Sequence, residues 1–110
     1  MANKHLSLEA LDLIAERFKV LSEPIRLQIL HTLQEGEKSV NDLTAAVQTS
    51  QPNVSKHLKI LQKNGILERN QYGNTVYYTI ADESIFSLCE TVCGSLEENL
   101  RSKADIFSIA

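Results

Sequence analysis

The 110-residue chain is predicted to fold as a mainly α-helical winged helix-turn-helix with a β-hairpin wing, its elements in the order α-α-α-α-β-β-α. Three observations predict it. Apolar residues recur at helical spacing in successive segments up to Gly65, alternate over residues 66–80, and return to helical spacing from Glu83. The third and fourth helical segments are short and joined by about three residues near 48–50, the form of a helix-turn-helix. The alternating stretch is split at Gly73-Asn74, a turn-forming pair.

Each element follows from its own residues. Residues 7–21 open with Ser7, a favourable N-cap, and place Leu11, Ile14, Phe18 and Leu21 at helical spacing. In SEPIRLQILHTLQEG, Ser22 is expected to cap a second helix. Pro24 sits in its first turn, where its missing N–H has no intrahelical partner to lose. Ile29, Leu30 and Leu33 form the buried face, and Gly36 is a natural stop. Ser39 with Asp42 three residues on makes a capping-box pattern, followed by the apolar edge Val40, Leu43 and Val47.

Ser50 then caps a fourth helix with Pro52 in its first turn. Val54, Leu58 and Leu61 are its inward stripe, and Gly65 lies where a left-handed residue ends it. ILERN and TVYYTI flank QYGN as a hairpin, with Arg69, Tyr72 and Asn74 expected near the tip. The last helix, expected over 83–103, carries Ile85, Leu88, Cys89, Val92, Cys93, Leu96 and Leu100. The expected organisation is one domain over 1–110, with the helix-turn-helix at 39–63 and the wing at 66–80.

Composition bounds the function. Hydrophobic content of 43% and charged content of 23% describe a soluble globular chain. No apolar run approaches the roughly 20 residues of a membrane span, so no membrane partner is expected. The start, MANKHLSLEALDL, lacks a signal-peptide pattern. Two cysteines without an export signal point to the reducing cytoplasm and to thiols rather than a structural disulfide. The net charge of −3 conceals an uneven distribution. Residues 50–77 carry Lys56, Lys59, Lys63 and Arg69 against Glu68 alone, a balance of +3 between acidic flanks of −2 and −4. A basic island of this kind is a local surface for a polyanion.

That island lies on the fourth helix. With Val54, Leu58 and Leu61 turned inward, Gln51, Asn53, Ser55, Lys56, His57 and Lys59 are left mostly to solvent behind the Ser50 cap. Amide, hydroxyl and basic groups are the types that bond base edges and phosphates in a major groove. An ordinary solvated helix face has the same composition. The preceding short helix, the following hairpin and the local positive balance favour double-stranded DNA. Lys56, Lys59 and Arg69 are then phosphate contacts, Gln51, Asn53, Ser55 and His57 base readers, and Asn74 part of the wing tip.

SEPIRLQIL, then SVNDLTAAVQTSQPNVSKHLKILQKNGIL, then NTVYYTIAD, in that order, resemble the ArsR/SmtB family of bacterial winged-helix repressors. The likeness runs from Phe18 to Asp82. It implies a cytoplasmic homodimer, joined through the first and last helices, that binds an operator as a repressor and leaves it when an effector arrives. Residues 50–59 would be the recognition helix and residues 69–76 the wing tip. A symmetric dimer presents two such helices to successive major grooves and so reads an inverted repeat.

The effector is the open question. One ligand set of the family uses paired cysteines in the first helix of the helix-turn-helix, where this chain has Ser39 and Asn41. Another uses the last helix, where the matching positions are Asp82, Ser84, Ser95 and Glu98, with serine in place of both histidines. Serine is a poor zinc ligand, so a zinc or cobalt sensor of that type is not expected. His5 and His31 have no evident co-ligands either. Cys89 and Cys93, one turn apart on one helix face, admit two readings. They are small apolar packing residues, or they gather with their symmetry mates as a sensor for a thiophilic metal or metalloid ion or a sulfur or oxidant signal. No nucleophile–base pairing, glycine-rich phosphate loop or paired-carboxylate motif marks an enzyme.

Overall fold

Helix α1, Leu8–Leu21, starts where Ser7 accepts a hydrogen bond from the Ala10 amide at 3.1 Å. It is the first element of a computed structural model that describes residues 5–101. The helix ends at Ser22, whose hydroxyl donates back to the Lys19 carbonyl at 2.7 Å. Ser22 therefore closes α1 and does not take the capping place at the next helix that its sequence position suggests. Glu23 caps α2, Pro24–Leu33, by accepting from the Ile25 amide at 3.2 Å. The cause is Pro24, whose ring bars the residue before it from helical geometry and holds Glu23 extended.

After α2 the chain forms a strand absent from the sequence expectation. Strand β1 is only Lys38–Ser39, too short to show alternation, and its partner lies far along the chain. Ser39 serves twice, as the end of β1 and as the N-cap of α3, Val40–Val47. Both arms of the capping box are made: the Asp42 amide donates to Ser39 Oγ at 3.1 Å, and the Ser39 amide donates to Asp42 Oδ2 at 3.2 Å.

Helix α4, Gln51–Lys63, follows a left-handed Gln48 and two further residues. It ends in a double bond pattern around Gly65, at φ +74: Gly65 N–H to the Gln62 carbonyl and Ile66 N–H to the Leu61 carbonyl, each 3.0 Å. Strands β2, Leu67–Tyr72, and β3, Thr75–Ile80, are joined by the two-residue turn Gly73-Asn74. The sheet order is β1-β3-β2, all antiparallel, with Lys38 and Arg69 both opposite Tyr78. Because β2 runs on to Tyr72, Arg69 lies in mid-strand and not near the wing tip.

Helix α5, Ser84–Asn99, starts beside Asp82, whose carboxylate accepts from the Ser84 amide at 3.0 Å. Residues 102 and 103 of the helix expected there lie outside the described residues. Ile29, Leu43, Val54, Leu58, Leu61, Ile66 and Ile85 are buried in one apolar cluster fed by α2, α3, α4, the sheet and the start of α5. Each such side chain contributes about 1.5–3 kcal/mol on leaving water. Arg17 of α1 clips the outer elements on, donating to Asp82 Oδ2 and to the Asn64 carbonyl, both at 3.0 Å.

Candidate nucleic-acid interface

The turn between α3 and α4 is built from side-chain bonds. Ser50 Oγ accepts from the Asn53 amide at 3.3 Å, and Asn53 Nδ2 donates to Thr49 Oγ1 at 3.1 Å. Val54, Leu58 and Leu61 are fully buried, which fixes the opposite face of α4 outward. On that face Ser50, Gln51, Lys56 and Lys59 are exposed, and Asn53 and Ser55 are half-buried. Lys56, Lys59, Lys63 and Arg69 make no ion pair among the described residues, so their charges are open to an anion.

The wing stands next to the start of α4. A cleft of about 220 Å³ is lined by Ser39 and Asn41 of the α3 start, Gln51 of α4, and Asn74 and Thr75 of the wing. Two helix N-termini, each with free amide donors and a partial positive charge, thus open beside the hairpin turn. Neither Asn41 nor Thr75 is marked by the sequence as part of a DNA-facing surface. They reach the site because β1 pairs with β3 and carries the α3 cap with it. On the wing's outer face the Tyr72 and Tyr77 rings lie 5.6 Å apart. The charge of Glu37, first of all, pushes the Tyr72 phenol above its ordinary pKa.

His57 is the exception among the expected contacts. It is only 5% exposed, and its Nδ1 accepts a hydrogen bond from Arg26 Nε at 3.1 Å. It is therefore not a reader of base edges on the open face. The spacing carried the signal: 54, 57, 58 and 61 are the i, i+3, i+4, i+7 positions of one helix face. Burial, then the neighbouring charges of Arg26 and Lys56, pushes its pKa below the ordinary value, with Glu23 acting weakly the other way.

A second surface lies on the other helices. Leu11, Ile14 and Phe18 of α1 and Val92 and Leu96 of α5 are exposed, Phe18 to 53%. Between them runs an apolar groove of about 340 Å³, lined by Phe18, Leu21, Leu27, Leu88, Val92 and Leu96 together with both cysteines. Cys89 is half-buried and Cys93 exposed, and burial pushes the Cys89 thiol up. Among the described residues no group of three or more His, Cys, Asp or Glu side chains is placed to hold a metal ion. Asp82 is engaged by Ser84 and Arg17, whose bonds hold its carboxyl below the usual range. No described helix is long and apolar enough to cross a membrane.

The comparisons with known proteins bear on the same elements. The profile described as "Bacterial regulatory protein, arsR family" matches residues 23–69, from the α2 cap to mid-β2. A transcriptional repressor SmtB homolog of Synechocystis is 34% identical over 94 residues, 86% of this chain and 71% of that protein. The chain belongs to the ArsR family. As a member it is a DNA-binding transcriptional repressor of the ArsR type, a class of regulators and not of enzymes. The ArsR fold extends beyond the matched core. The homodimeric winged helix-turn-helix DNA-binding domain of a Mycobacterium bovis protein superposes with a TM-score of 0.74 at 33% identity, covering 91% of this chain and 94% of that one. The AntR antimony-specific transcriptional repressor superposes with a TM-score of 0.79 at 29% identity, covering 92% of each chain.

Proposed function

We propose that this ArsR-family repressor works in the cytoplasm as a symmetric homodimer that reads an inverted-repeat operator. In this reading α1 and α5 join the protomers and α4 enters the major groove. Gln51, Asn53 and Ser55 read bases, and Ser50, Lys56, Lys59 and Arg69 hold phosphates. Asn74 at the wing tip lies against the flanking backbone. The observation that carries the reading is the cleft in which Gln51 of α4 meets Asn74 of the wing, on a helix whose Lys56 and Lys59 are exposed and make no ion pair among the described residues. Arg69 lies in mid-strand, so in this reading its phosphate is farther from the wing tip than that of Asn74. The test is selection from a randomised duplex pool, followed by footprinting. An enriched inverted repeat with protected half-sites one helical turn apart is expected. Recovery of unrelated sequences alone would defeat the reading.

Release from the operator is proposed to act through Cys89 and Cys93. They share one apolar groove wall on α5, and the AntR neighbour is by name antimony-specific. One protomer supplies two thiols, fewer than the three that trivalent arsenic or antimony takes, so such an ion would draw a further donor from the second protomer. The raised thiol of Cys89 favours the other reading, in which both cysteines only pack. Titrating the protein–duplex complex with arsenite, zinc, persulfide and diamide separates them. Dissociation that Cys89→Ser and Cys93→Ser abolish supports sensing, whereas indifference to all four leaves packing.

A further inference from the structure

No other histidine, lysine, arginine or carboxylate among the described residues is buried as His57 is, and it lies on the helix assigned to DNA reading. Its bond to Arg26 is part of a longer bridge. Arg26, in the first turns of α2, donates from Nε to His57 Nδ1 at 3.1 Å and from Nη1 to the Val20 carbonyl at 3.0 Å. Val20 sits in the last turn of α1, where carbonyls have no partner within the helix. A single guanidinium thus satisfies the end of α1 and the inner side of α4 at once. It links the helix that carries the exposed Leu11, Ile14 and Phe18 face to the helix that carries Gln51 and Lys59.

The chemistry of this link constrains the imidazole. Arginine Nε–H can only donate, so Nδ1 must keep its lone pair and the ring proton must sit on Nε2. An imidazolium would set N–H against N–H beside a permanent cation. We propose that Arg26 and His57 form a positioning pair that seats α4 against the α1–α2 corner, and that operator binding requires the neutral imidazole of His57. The proposal rests on α4 being the recognition helix. The charged groups around the ring agree with it: Arg26 from α2 and Lys56 from α4 oppose protonation, and only Glu23, at the α2 cap, favours it.

The sign of the pH effect follows. His57 has a folded pKa below its unfolded value, so its contribution is complete above the ordinary histidine range and is lost as pH falls through the lowered value. A histidine that touched phosphate directly would do the opposite, because its cation would bind better. The two roles therefore predict opposite slopes.

The experiment measures binding of the full chain to the duplex it selects from a randomised pool, between about pH 5 and 8. Affinity should fall about tenfold on acidification, the size expected for losing one hydrogen bond to a charged group. His57→Asn places an amide oxygen near the Nδ1 position and does not titrate. It should keep affinity at neutral pH within about threefold and lose the acid fall. Arg26→Gln, verified as folded by circular dichroism, should weaken binding about tenfold at neutral pH, and Arg26→Lys should not restore it. The nitrogen-15 shifts of His57 in the free protein should report a bare Nδ1. Binding that strengthens in acid, an acid fall retained in His57→Asn, or a protonated Nδ1 would overturn the pairing. If the chain retains no duplex, the DNA reading fails, while the nitrogen shifts still decide whether the pair exists.

Discussion

Lys59 and His57 stand two residues apart on α4, yet one is exposed and the other is sealed beneath the helix. Lys59 has no ion-pair partner among the described residues, so its charge is free to displace a counterion from DNA. Lys59→Ala should lower the slope of log affinity against log salt by about one unit. Anisotropy titrations across a salt series read that slope directly, and an unaltered value would remove Lys59 from the contact surface. Gln51, Ser55, Lys56 and Lys59 were legible in the sequence because their outward direction follows from where Val54, Leu58 and Leu61 point. For His57 the spacing points inward and the residue type points outward, and only the structure shows what partners its ring. Its burial depends on Arg26, 31 positions away, supplying a donor.

At the scale of elements, the caps decided most boundaries. Ser7, Ser39 and Ser50 each bond the amide three residues on, as short polar side chains before an apolar run are expected to do. Ser50→Ala should destabilise the chain by about 1 kcal/mol, seen as a lower urea midpoint with an unchanged m-value. It should also loosen the α4 N-terminus, which faces the wing across the cleft. The exceptions are instructive. Ser22 has the right chemistry for a cap but sits one residue too early, since Pro24 hands that role to Glu23. Strand β1 escaped notice because two residues have no readable period. It exists only because Lys38 and Ser39 meet Tyr78 and Tyr77.

For the whole molecule, the two surfaces divide the work. The polar face of α4 and the wing are offered to DNA. The large apolar side chains left open lie mainly on α1, α2 and α5: Leu8 is 80% exposed and Leu13 69%. Phe18, Leu27, Val92 and Leu96 line one groove, and such an apolar surface on a folded protomer marks an association site. Phe18→Glu should therefore produce a monomer in sedimentation while leaving the helical circular dichroism intact, because Phe18 is not part of the buried core. The same variant should lose more than about tenfold in operator affinity, since each half-site is then bound alone. A Phe18→Glu chain that still sediments as a dimer would move the interface away from α1.

The sequence by itself determined the order of the five helices and the hairpin, the helix-turn-helix and the hairpin turn, because each rests on spacing and chemistry within a few residues, and the family, because its motifs follow one another in order along the chain. Only the tertiary structure decided that Arg69 lies in mid-strand, that Asn41 and Thr75 join Gln51, that both cysteines line one groove, and that His57 faces Arg26. Those outcomes come from pairings between distant positions, Ser39 with Tyr77 and Arg26 with His57 among them. Helical spacing tells which way a side chain faces, but what meets it there is set by distant segments, and no local pattern contains that.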